Sequence, residues 1–127
     1  MGFSDAVRTC LGKYATFSGR ASRSEYWWFY LFTFLVLVAL SVLDIVFFGY
    51  QPEDPTAIPV LVLVGLAAIL LPMLAAAIRR LHDTDRSGWW YLIAFIPVIG
   101  GIVLLVFLIL KGTVGPNRFG PDPLTSQ

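Results

Sequence analysis

The chain has 127 residues, 57% of them hydrophobic and only 13% charged, and its mean hydropathy is +0.77. A soluble domain of this length cannot hide so much apolar surface, so the composition excludes that class and points to a small integral membrane protein. The net charge of +1 says little by itself, and the one cysteine, Cys10, excludes an internal disulfide.

The opening "MGFSDAVRTC" has no basic stretch followed by an apolar one, so no cleavable signal peptide is expected. Ala6 also breaks the myristoylation pattern. Residues 3–17 carry Phe3, Ala6, Val7, Cys10, Leu11, Tyr14 and Phe17 at intervals of three and four, with Asp5, Arg8, Thr9, Lys13 and Thr16 opposite. This predicts an amphipathic helix. It can lie in the membrane interface or dock on its own protein. Cys10 falls on the apolar face, where a small buried residue is expected rather than a nucleophile.

In "SGRASRSEYWWFY", Ser22 and Glu25 have the spacing of a capping box, which starts a helix near Arg23. Residues 26–50 form a first span in which Asp44 is the only charge. A charge inside a span is a functional candidate, but Asp44 lies ~27 Å along the helix, where a hydrated residue at the far interface is expected. "QPEDPT" is a polar turn, and residues 58–78 form a second span closed by Arg79 and Arg80.

Residues 89–110 are a third uncharged run, long enough for one crossing of a ~30 Å core. A single crossing is the expectation, with the C-terminus outside. Pro97, Gly100 and Gly101 in its middle leave open a re-entrant hairpin that would return Lys111 and Arg118 to the basic side. The tail, 111–127, is too rich in Gly and Pro to be helical throughout. There is no repeat and no second domain. The expected architecture over 1–127 is therefore an all-α integral membrane fold, an N-terminal interfacial amphipathic helix plus three transmembrane helices.

Four basic residues precede the first span and three lie in the second loop, so the positive-inside rule places the N-terminus and "RRLHDTDRSGWW" in the cytoplasm. In the second span, Gly65, Ala68, Pro72 and Ala75 make one small-residue face. In lipid such a face is a helix-packing seam, internal or to another membrane subunit or a second copy.

The candidate site is a polar knot of Arg20, Arg23, Glu25, Arg79, Arg80, His82, Asp83 and Arg86. Cations at the end of the second span favour the helix dipole, and Asp83 and Asp85 can pair with Arg20, Arg23 or Arg86 under a roof of Trp27, Trp28, Trp89 and Trp90. The chemical alternatives are thinner. Adjacent His82 and Asp83 point about 100° apart on a helix, so they share a metal poorly. Ser87 reads as a helix cap before it reads as a nucleophile. No catalytic residue, cofactor, metal or nucleic-acid partner is expected.

Together, "FSGRASRSEYWW", "RRLHDTDRSGWW" and "GTVGPNRFGPDP", in this order between apolar spans, resemble the bacterial family named domain of unknown function 805, the YhaH-like inner-membrane proteins. The resemblance covers most of the chain and implies a small multi-pass inner-membrane protein without an assigned activity. Its signature positions are Gly19, Arg20, Arg23, Glu25, Tyr26 and Trp27, then Arg80, Leu81, His82, Asp83, Arg86, Ser87 and Trp89, then Gly115, Asn117, Arg118, Phe119, Gly120, Pro121 and Asp122. The functional expectation is a non-enzymatic protein, structural or accessory to a membrane complex. The alternatives are a subunit of an ion or proton pathway using Asp44, and a membrane enzyme built on His82 and Asp83.

Overall fold

The structure, a computed structural model, describes residues 2–124. Its elements are α1 (Phe3–Gly12), α2 (Arg23–Phe48), α3 (Val60–Asp83), a 3-10 helix (Gly88–Phe95) and α4 (Ile99–Ile109), with no strand among the described residues. α2 and α3 are each long and apolar enough to cross a membrane. Their most apolar windows are only 11% and 28% buried, so they are not the enclosed core helices of a soluble protein. The buried apolar cluster, including Tyr26, Phe29, Ala76, Leu81, Leu104 and Leu108, gathers where α1, α2, α3 and α4 meet.

α2 starts where the capping residue predicts, because the Ser22 hydroxyl accepts the Glu25 N–H at 3.2 Å. It stops at Gly49, whose φ of 63° is the left-handed conformation that glycine adopts without penalty. One turn earlier, Asp44 is fully buried, and its two carboxylate oxygens accept the N–H groups of Leu61 and Val62 at 2.9 and 3.0 Å. Those donors belong to the first turn of α3, which has no partners within its own helix, and a carboxylate there also meets the positive end of the dipole. The expectation of a hydrated Asp44 is thus corrected: it closes the α2–α3 hairpin by capping the returning helix.

The small-residue seam also closes on the chain itself. Gly65 faces Leu40 of α2, and a Cβ there would lie 2.4 Å from the Leu40 Cδ1. Pro72 and Ala75 are likewise buried, and only Ala68 of the four is exposed. Three of the four seam residues are therefore packed within the chain.

α3 continues through Pro72. Proline has no N–H, so the carbonyl four residues earlier loses its helical partner. That carbonyl is Ala68, and it accepts the hydroxyl of Tyr14 from the segment after α1. Tyr14→Phe is expected to remove this bond at a cost of about 0.5–1.5 kcal/mol, read as a lower melting temperature in detergent. An unchanged melting temperature would mean the carbonyl needs no such partner.

α1 lays its stripe on the chain's own helices. Ala6 and Cys10 are fully buried, and the Phe3 ring meets those of Trp28 and Phe32 edge-on at 5.9 and 6.3 Å. Asp5, Arg8 and Lys13 face outward.

The third run departs most from expectation. It is not one helix: the 3-10 helix ends at Phe95, the chain turns at Ile96–Val98, and α4 runs back. Gly100 packs on the Ile93 carbonyl, and the Trp90 and Phe107 rings meet edge-on at 5.7 Å. Gly88 at the start touches Ile78, and the carbonyls of Leu108 and Leu110 at the end reach Arg80, so both ends of the run sit at the same end of α3. Each arm is ~16 Å long, half of a ~30 Å core, so the run is a folded-back hairpin and not the single long helix expected. Backbone in an apolar turn must be satisfied internally wherever lipid surrounds it. The turn achieves this, with Ile96, Ile99, Gly100 and Ile102 donating to the carbonyls of Ile93, Pro97, Ile96 and Val98.

Candidate functional site

The site begins with the end of α3, because a helix terminus leaves its last carbonyls without partners. Three segments converge on it, the stretch before α2, the loop after α3 and the tail. The Ala21 N–H donates to the Arg79 carbonyl at 3.0 Å, and Thr113 N–H donates to that of Asp83 at 2.7 Å. The Asn117 side-chain amide donates to the His82 carbonyl at 2.9 Å, and the Arg86 N–H to that of Leu81 at 2.9 Å.

Side chains then tie the segments together. Asp83 holds Arg20 at 3.0 Å through one oxygen and pairs with Arg80 through the other. All three side chains are at most 6% exposed. Arg20 spreads its remaining donors over the carbonyls of Thr113, Gly115 and Gly120. Arg80 does the same toward Ala21, Leu108 and Leu110. Leu108 and Leu110 lie at the C-terminal end of α4, so a cation there meets both open carbonyls and the negative end of the dipole. Trp27 adds its indole N–H to the Leu108 carbonyl at 3.3 Å. Gly112 is required by closeness, since a Cβ there would lie 1.9 Å from an Asp83 oxygen.

A second pair lies beside this one. Arg79, fully buried, pairs with Glu25, and the Cys10 sulfur lies 3.9 Å from both Arg79 and Glu25. Burial, and next the Glu25 charge, push the Cys10 thiol up to about 11, which keeps it protonated and poorly nucleophilic. In total, three arginines face two carboxylates, and neutral backbone carbonyls accept the remaining guanidinium donors of Arg20 and Arg80.

The tail is shaped by its own turn residues. Asn117 accepts the Phe119 N–H at 2.8 Å, and Asp122 accepts those of Gly115 and Leu124 at 2.9 and 3.0 Å. These donors hold the Asp122 carboxyl below its usual range. The fold of the tail lays the Phe119 ring flat on His82, centroids 4.0 Å apart, while His82 Nδ1 meets the Gly19 carbonyl at 2.9 Å.

The structure therefore brings together Arg20, Glu25, Arg79, Arg80, His82 and Asp83, but not the rest of the expected knot. Arg23 is exposed. Arg86 lies over the Phe107 ring at 4.2 Å and bonds the Thr84 carbonyl, with no carboxylate partner among the described residues. Asp85 pairs with Arg118 at the surface, at 3.3 Å. The roof of four tryptophans is also corrected, since Trp28 and Trp90 are exposed and Trp89 is 79% exposed. Residues 112–122 cover the clasp instead. The contributions of Thr113, Gly115, Gly120, Leu108 and Leu110 are backbone carbonyls, which carry no side-chain signal. Only the turn-forming composition of "GTVGPNRFGPDP" marks the segment that folds over.

Two long apolar helices with outward-facing apolar surface, clasped at one end by buried ion pairs, define a small helical membrane protein. The chain belongs to the family described as Protein of unknown function (DUF805), whose model matches residues 14–121. It is 49% identical over 113 residues to the inner membrane protein YhaI of Escherichia coli (strain K12), covering 89% of this chain and 90% of that one. It is 44% identical over 113 residues to the inner membrane protein YhaH of the same strain, covering 89% and 91%. No solved structure matches. The matched residues contain all the ion pairs of the clasp, and α1 with Cys10 precedes them.

Proposed function

We propose that the chain is a non-enzymatic inner-membrane protein with two spans, a re-entrant hairpin and both ends in the cytoplasm, structural or accessory to a membrane complex. The names of its relatives support the membrane. One observation carries the role. The polar groups that look most reactive in the sequence are engaged with one another and with the backbone: Asp83 with two arginines, His82 between Gly19 and Phe119. Such an arrangement fixes helices and leaves little for chemistry. The pathway reading loses support for the same reason, because both Asp44 oxygens cap α3.

The orientation follows from charge. With the third run folded back, Lys111 and Arg118 join Arg20, Arg79, Arg80 and Arg86 on one side, which is the distribution the positive-inside rule favours. α1 then lies at the cytoplasmic interface. Its stripe is shared between the bundle and lipid, since Phe3, Leu11 and Tyr14 remain partly exposed.

Reporter fusions test this placement. A fusion after Gln127 should be active only as a cytoplasmic reporter, and one inserted in the 51–56 turn only as an external one. External activity after Gln127 would restore three crossings and overturn the hairpin.

A further inference from the structure

The larger clefts on the bundle, about 420 and 490 Å³, are walled mostly by apolar side chains and suit any hydrocarbon. A smaller pocket, about 220 Å³, lies against the clasp and differs in kind. It falls below the ~300–1,000 Å³ of drug-sized sites, which leaves room for a small polar group and not for an acyl chain.

Two cations line this pocket, from segments 88 positions apart in the sequence. Arg23 opens α2 and Lys111 follows α4, and both are exposed. Neither has an ion-pair or hydrogen-bond partner among the described residues. Arg23 is the more telling of the two. It is a signature position, yet the clasp spends Arg20, Arg79 and Arg80 on carboxylates and leaves Arg23 outside. Ser24 lines the same pocket, its hydroxyl 3.1 Å from that of Ser22. With Ser22 donating, Ser24 keeps its own proton for a ligand.

One acid, Asp83, is also part of the wall, so the sign of the charge has to be weighed. Its carboxylate is shared by Arg20 and Arg80, and only 6% of its side chain is exposed. Asp122 turns its oxygens to the N–H groups of Gly115 and Leu124. Against these two acids stand Arg20, Arg80, Arg23 and Lys111, so two positive charges are left over, and they are the two that line the pocket.

We infer that this pocket binds a phosphate group, held by the Arg23 guanidinium, the Lys111 ammonium and the Ser24 hydroxyl. An arginine fork takes two oxygens and a lysine adds a point charge. The remaining donors then call for a third oxygen, which a phosphate has and a carboxylate lacks. The phosphate can belong to a phospholipid headgroup or be soluble. The lipid source rests on the membrane placement proposed above, which puts the start of α2 and the end of α4 at headgroup depth; the site itself does not.

The purified full chain in mild detergent is titrated separately with inorganic phosphate and with phosphatidylglycerol. Its melting temperature is compared with that in matched sodium chloride and phosphatidylcholine. At least one phosphate probe should raise it saturably, and the probe that acts at the lower concentration names the source. Arg23→Gln and Lys111→Gln should each weaken that response about tenfold. Neither should lower the melting temperature without a probe, since both side chains lie outside the packing. Lys13→Gln, which removes an exposed cation on another face, should respond like wild type. No response beyond the controls would overturn the site. So would an unchanged response in Arg23→Gln and Lys111→Gln, or an equal loss in Lys13→Gln, since either would mean diffuse attraction to a basic surface. The reporter fusions do not bear on these shifts, so the two proposals fail separately.

Discussion

Replacing Asp83 with alanine is expected to remove most of the folded protein from the membrane. Its carboxylate is the common acceptor of Arg20 and Arg80, whose side chains are 1% and 0% exposed. Alanine would leave two guanidinium groups without their counter-charge. Removing one partner of a buried pair costs about 3–5 kcal/mol, a large part of the ~5–15 kcal/mol that holds a typical domain folded. The carbonyls around each arginine remain, but a neutral dipole offsets a buried cation less well than a carboxylate. Asp83→Asn should fall between, because it keeps the shape and one acceptor oxygen while losing the charge. His82→Gln should be milder still: an amide can replace the bond to Gly19, and only the stack on Phe119 is lost. Abundance of a fluorescent fusion and melting in detergent give the order. Wild-type abundance for Asp83→Ala and His82→Gln, combined with loss of a cellular phenotype, would instead identify a reactive site.

What could be read from the sequence follows the range of each interaction. Ser22 was legible as a cap because its acceptor lies three residues away. The two spans were legible because length and apolarity are local properties. Arg20, Glu25, Arg79, Arg80 and Asp83 were legible as one cluster, since charges flanking the same ends of two spans share a depth. Their pairing was not: nothing local says that Asp83 takes Arg20 and Arg80 while Glu25 takes Arg79. Asp44 shows the same division. Its depth followed from counting residues, but its partners are backbone N–H groups of a helix 17 residues on. The spacing of Gly65, Pro72 and Ala75 predicted close packing and not its partner. The bend in the third run is not legible because length alone favours one helix, whereas long-range acceptors decide. Arg80 needs carbonyls, and Leu108 and Leu110 supply them only if the run returns.

That return depends on the turn, where neighbouring residues should respond in opposite directions. At Gly100 a Cβ would lie 1.7 Å from the Ile93 carbonyl oxygen, a backbone atom that cannot swing away as a side chain can. Gly100→Ala must therefore spread the two arms, and overpacking of this kind typically costs about 1–3 kcal/mol. Val98, two residues earlier, has a φ of 63°, which is costly for a β-branched residue. Val98→Gly should relieve that strain without loosening the fold, since the side chain is 78% exposed. Cysteines replacing Trp90 and Phe107, whose rings touch across the hairpin, report the arm separation through a short bismaleimide crosslinker, with Cys10 changed to alanine. Crosslinking should fall in Gly100→Ala and persist in Val98→Gly, and the melting temperatures should separate in the same order. Spread arms also pull Leu108 and Leu110 away from Arg80, so Gly100→Ala should lower the abundance of the whole protein, although the substitution lies at the far end of the hairpin from the clasp. Full crosslinking in Gly100→Ala would show that the arms are held by the clasp alone, and that the glycine is not what lets them close.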